Sequence, residues 1–202
     1  AALLLGFVLA LAALPAQPRA QEESRPPSVE KAEHYLALLR TATARFVQTA
    51  PDGHQLSGTF YLSRPGRLRF EYDPPVKDFI VADGTFIYFY DSQLGEQSNA
   101  PIGQTLADFL LRPNLRLGGD LKVTNVVRSD KLTQISLVQA ADPGAGKLTL
   151  GFTDEPFALK KWRVVDSTGA VTEVELFDLK TGIPLSKQLF YYHAPAGATH
   201  YN

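Results

Sequence analysis

From Gln55 onward, apolar and polar residues alternate with a period of two, in short runs separated by turn residues. GTFYLS (58–63), RLRFEY (67–72) and DFIVA (78–82) read as strands, and Asp83-Gly84 ahead of TFIYFY (85–90) is a two-residue hairpin signal. Alternation resumes in LKVTNVV (121–127), KLTQISLV (131–138), KLTLGF (147–152), LKKWRVVD (159–166), VTEVELFD (171–178) and KQLFYY (187–192). ADPGAG and DSTGA supply turns between these runs, so the chain is expected to form an antiparallel meander.

Two segments depart from this period. In PPSVEKAEHYLALLRTATARFVQT, Val29, Ala32, Leu36, Leu39, Ala42 and Phe46 recur three or four residues apart. With Ser28 as N-cap, Glu30 in the first turn and Arg40 and Arg45 toward the end, the spacing predicts one amphipathic helix. In PIGQTLADFLLRP (101–113), Leu106, Phe109 and Leu110 predict a short apolar second helix stopped by Pro113. A sheet of about ten to eleven strands must curl, split or close. With two helices to cover it, the expected fold is mainly β with α, an incomplete, half-open antiparallel β-barrel with a helical lid.

Composition narrows the setting. The 202 residues suit one domain of roughly 170 to 180 residues after the N-terminus is set aside. Residues 1–20, with the apolar run ALLLGFVLALAAL, are expected to be an N-terminally truncated secretory signal, cleaved after Ala16 or Ala20. Residues 21–202 are then a single domain. Formal net charge is −1 with no block of like charge, which excludes a general nucleic-acid binder. Cysteine is absent, so there is no disulfide, no thiolate and no acceptor for a lipid anchor.

Catalytic signals are weak. His34, His54, His193 and His200 lack metal-ligand spacing, no nucleophile elbow occurs, and PGAGKLT only half matches a phosphate loop. Glu173 and Glu175 share a strand face as a glycosidase pair would, but Thr172, Val174 and Leu176 take the other side, and a solvated outer face is the better reading. No catalytic residue, metal or cofactor is expected.

The apolar load lies elsewhere, in Phe60, Leu62, Leu68, Phe70, Tyr72, Phe86 and Tyr88 on the early strands and Leu106, Phe109 and Leu110 on the short helix. Each residue alone reads as core. Together, on a large curved sheet with little to fill it, they also suit a ligand cavity.

ARFVQT, the Arg64-Pro65 pair with Leu68, Phe70, Tyr72 and Pro75, the block FIVADGTFIYFYDSQLGEQSN (79–99) and FYYHAPAG (190–197) together resemble the LolA family of periplasmic outer-membrane lipoprotein carriers. The middle block is similar to the family's I-x-V-x-D-G-x-x-x-x-x-Y segment with a downstream Glu-Gln, here Glu96-Gln97. The likeness runs from Val29 to Gly197. Phe70 stands where tryptophan is common, and the tail ATHYN departs from the usual ending.

The resemblance implies a monomeric, non-catalytic periplasmic carrier whose apolar cavity holds acyl chains. Its partners would be acylated lipoproteins, an inner-membrane ATP-driven release complex and an outer-membrane receptor. It also implies that Arg64 latches the lid in the empty form. A lipid-binding or envelope-sensing domain of the same fold is the alternative, and a secreted hydrolase a more distant one.

Overall fold

The computed structural model describes residues 25–103, 109–195 and 199–200, so the expected signal segment and Leu106 lie outside the described residues. One helix, α1 (Pro27–Leu38), opens the described chain. Pro26 takes the N-cap position and Pro27 the first turn, where the missing N–H costs nothing, so Ser28 is not the cap. Val29, Ala32 and Leu36 are its buried stripe.

The helix expected to run through Phe46 ends early. Leu39 is already extended, and β1 (Thr41–Thr49) follows directly. Ala42 and Phe46 satisfy a helical stripe and a period of two at once. The β-branched Thr41, Thr43, Val47 and Thr49 favour the strand, which buries Ala42, Ala44 and Phe46 on one face.

Among the described residues, eleven strands form one antiparallel sheet: β1, β2 (Gln55–Ser63), β3 (Arg67–Tyr72), β4 (Phe79–Asp83), β5 (Phe86–Asp91), β6 (Glu96–Pro101), β7 (Leu121–Ser129), β8 (Leu132–Gln139), β9 (Gly146–Asp154), β10 (Phe157–Asp166) and β11 (Val171–Thr181). A two-residue β12 (Thr199–His200) adds in parallel to β6. The order β12-β6-β5-β4-β3-β2-β1-β11-β10-β9-β8-β7 joins two meanders through the β1–β11 pair and does not close. This is the half-open barrel that the alternation predicts.

Two further expectations change. Residues 101–113 do not begin a helix at Pro101, which ends β6; a 3-10 turn spans Phe109–Leu111, all three buried. KQLFYY is not a strand. Ser186 accepts from the Gln188 N–H and caps a 3-10 turn at Lys187–Phe190, which buries Phe190.

The concave face carries the core. Phe46, Phe60, Leu62, Ile135, Leu150 and Phe152 are fully buried there, and α1 lies over it with the Tyr35 ring edge-on to Phe152 and Phe157. The convex face is polar over β10 and β11, where Glu173 meets Lys161 and Arg163, and Glu175 meets Lys160. Over β4 and β5 it is aromatic, and Tyr192 closes it by stacking on Tyr88 at 4.2 Å.

Candidate binding cavity and its lid

Alternation along the strands builds the cavity. Leu68 and Phe70 of β3, Ile80 of β4, and Ile87 and Phe89 of β5 project to the concave side and face Trp162 and Val174 of the other meander. They enclose about 370 Å³, with Leu110 of the 3-10 turn overhead. The walls are mostly hydrocarbon, with Gln48 and Thr172 as the polar members, so a long apolar chain would gain ~0.8 kcal/mol per buried methylene.

Trp162 organises the floor. Its indole meets Phe60 at 5.9 Å, Phe70 at 6.2 Å and, from the lid segment, Phe109 at 6.1 Å. Phe46 packs edge-on to both Phe70 and Tyr72 at 5.0 and 5.3 Å. Aromatic pairs of this geometry hold one arrangement more firmly than aliphatic packing alone.

Arg64 stands at the rim, in the turn between β2 and β3. Its main-chain N–H donates to the Arg40 carbonyl, and that of Gly66, two residues on, donates to the Leu111 carbonyl at 3.0 Å. Gly66 has φ +78°, a conformation that favours glycine, which lets this turn press against the lid. The guanidinium reaches both lid elements. Nη1 donates to the carbonyls of Leu36 (2.5 Å) and Leu39 (2.9 Å) at the end of α1, and Nη2 to those of Arg112 (2.8 Å) and Pro113 (3.4 Å) after the 3-10 turn.

No carboxylate is among these acceptors, and the side chain is only 8 % exposed. Burial, with a contribution from the neighbouring Arg40 charge, lowers the Arg64 pKa to about 10. It therefore stays cationic near neutrality, a buried charge stabilised by four carbonyl dipoles, with Nε lacking an acceptor. Glu33 adds a second tie within the lid, accepting from the Leu117 N–H at 2.6 Å and from Arg25 at 2.9 Å.

The expected residues within the described chain separate into four groups. Leu68, Phe70 and Leu110 line the cavity, while Phe60, Leu62 and Phe109 are packed beneath or above it. Tyr72 borders an adjoining cleft, where its hydroxyl donates to Gln48 Oε1 at 2.9 Å and burial pushes its pKa up to about 12. Phe86 and Tyr88, expected in the cavity, lie on the convex face, because β5 turns Ile87 and Phe89 inward instead. Both faces of β5 are apolar, so alternation alone does not choose between them.

A half-open barrel with this cavity and lid can be set beside known proteins. Residues 37–193 match the family model described as outer membrane lipoprotein carrier protein LolA. The chain belongs to the LolA family. The outer-membrane lipoprotein carrier protein of Methylococcus capsulatus is 30% identical over 189 residues, covering 88% of each chain. That of Legionella pneumophila (strain Paris) is 30% identical over 179 residues, covering 84% of this chain and 87% of the other. A DUF1329 family protein from Desulfovibrio piger shares the fold at a TM-score of 0.51 and 9% identity, over 82% of this chain and 95% of that one.

Within this LolA fold, Trp162, Ile80, Ile87, Phe89 and Val174 are lining residues that the sequence reading missed. Trp162 had a signal, as the single tryptophan of the chain on the apolar face of LKKWRVVD. Among the described residues no helix is long and apolar enough to cross a membrane.

Proposed function

We propose that the protein is a periplasmic carrier that takes the acyl chains of lipoproteins released from the inner membrane and delivers them to the outer membrane. The observation that carries this reading is the Arg64 guanidinium, which ties α1 and the segment after Phe109–Leu111 over an apolar cavity of about 370 Å³. A pocket of this make-up suits hydrocarbon, and the family relatives are lipoprotein carriers by name. No bond is made or broken in such a task. The partners are the acylated lipoprotein, the ATP-driven complex that releases it and an outer-membrane acceptor, with the carrier acting as a monomer.

A carrier must also let go. Several fully buried acyl chains would gain tens of kcal/mol at ~0.8 kcal/mol per methylene, too much for release on a useful timescale. Opening the lid breaks the Arg64 hydrogen bonds and parts Phe109 from Trp162, which offsets part of that gain. Lipid selects the open form, and the stored preference for the closed form favours unloading.

Native mass spectrometry with a triacylated lipoprotein and its unacylated form tests the reading. A complex with the acylated form alone, lost in Phe70→Glu, is the expected result. Equal binding of both forms, or of neither, would overturn it. In a hand-over assay Arg64→Leu should load normally and release poorly, and normal release by that variant would refute the latch.

A further inference from the structure

The cavity does not stand alone. A second cleft of about 350 Å³ adjoins it and shares Gln48, Ile80 and Phe89 as common walls. Its other apolar walls include Leu56, Tyr72 and Leu94. Each space alone is near the lower end of the roughly 300–1,000 Å³ that ligand sites occupy, and joined they fall near its middle.

The cleft sits away from the latch. Leu56 is near the start of β2, and Arg64 follows the end of that strand, about 26 Å away at the rise of an extended chain. The lid therefore covers the main cavity toward one end of β2, while the β5–β6 hairpin borders the cleft toward the other. There Phe89 is 42% and Leu94 67% exposed, which leaves apolar surface facing water.

Tyr72, which lines the cleft, donates to Gln48, which lines both spaces, so a hydrocarbon chain lying alongside does not strand the hydroxyl without a partner. Two of the three carboxylates that line the cleft, Asp78 and Asp91, are engaged in shaping the hairpin, and Glu96 is the third. Asp78 accepts from the Ser92 N–H (2.8 Å) and hydroxyl (2.6 Å), and Asp91 from the N–H groups of Gln93 (2.8 Å) and Leu94 (3.0 Å). Those two fix the wall, and Leu56, Tyr72, Phe79, Ile80, Phe89 and Leu94 give the cleft the apolar surface that suits a hydrocarbon occupant.

We propose that this cleft is a second acyl subsite, which receives the far end of a chain whose nearer part lies in the main cavity. The inference rests on the carrier reading and adds to it the place where the long end of the chain goes.

A diacylated lipopeptide with palmitoyl chains bearing a diazirine at the terminal carbon tests it directly. After irradiation with the purified protein, mass spectrometry should find label at Leu56, Leu94 or Ser98. Label confined to Leu68, Phe70 and Trp162 overturns the second subsite while leaving the carrier reading intact. Absence of any complex with the lipopeptide overturns both.

A plug gives an independent check. Ser98 lines the cleft opposite Phe89 and does not line the main cavity. In Ser98→Trp, folded by circular dichroism, affinity for the palmitoyl lipopeptide should fall about tenfold, the worth of a few methylenes, with the octanoyl analogue unaffected. Equal loss for both lengths, or no loss for palmitoyl, counts against the proposal. Should the variant not fold, the label on the wild-type chain decides alone.

Discussion

The Phe46 ring lies across Gly58, its register partner on β2, so closely that a Cβ at that glycine would stand 2.7 Å from Phe46 Cε1 and press on the Glu71 carbonyl. The missing side chain is what lets Phe46 turn its edge toward Phe70 and Tyr72. Gly58→Ala should cost about 1–3 kcal/mol of overpacking, a fall in Tm of roughly 3–10 °C for a domain of this size, read by thermal unfolding. An unchanged Tm would mean that the sheet yields there without strain.

Arg64→Leu removes the donors that hold α1 to the Arg112–Pro113 segment. Hydrogen exchange should quicken by about tenfold or more in residues 27–39 and 109–117, since each bond to a charged donor contributes about 1.5–3 kcal/mol. Protection in β8 to β10 should stay as it is. Uniform quickening across the sheet would point to general destabilisation instead of lid opening.

Most of the sheet could be read from alternation because one face of nearly every strand is buried and the other wet. The reading failed where that contrast fails. In β5 both faces are apolar, since Tyr192 covers the convex side, and Phe86 and Tyr88 were given the wrong face. Residues 39–49 satisfy two periodicities at once, and β6, with the sequence EQSNAP, has almost no apolar alternation to detect. Arg64 was legible only through the motif around it, because its acceptors are carbonyls that no side-chain pattern announces.

Tyr72 gives an alkaline signature. Burial raises its pKa to about 12, above the unfolded value of about 10. The folded state thus holds the proton, and this contribution to stability is complete below pH of about 10 and lost as pH rises through about 12. Tyr72→Phe should flatten the decline of the denaturation midpoint across that window. A residual slope is expected from Tyr35, Tyr88 and Tyr192, whose pKa values burial also raises.

Trp162 is the single tryptophan and touches both cavity wall and lid. Titration with an acylated lipopeptide should change its emission saturably, as Phe109 leaves the indole and lipid takes its place. Phe70→Glu should abolish the response. A signal that persists in that variant would locate the lipid away from Trp162.

Among the described residues, every acceptor of the Arg64 guanidinium is a main-chain oxygen. The grip is therefore indifferent to which side chains the lid carries, and those residues are free to drift without loosening it. A lost arginine has no complementary partner to be re-paired by a compensating charge swap. Genetic suppressors of such a loss should arise as changes in the length or backbone conformation of the segments around Leu39 and Pro113.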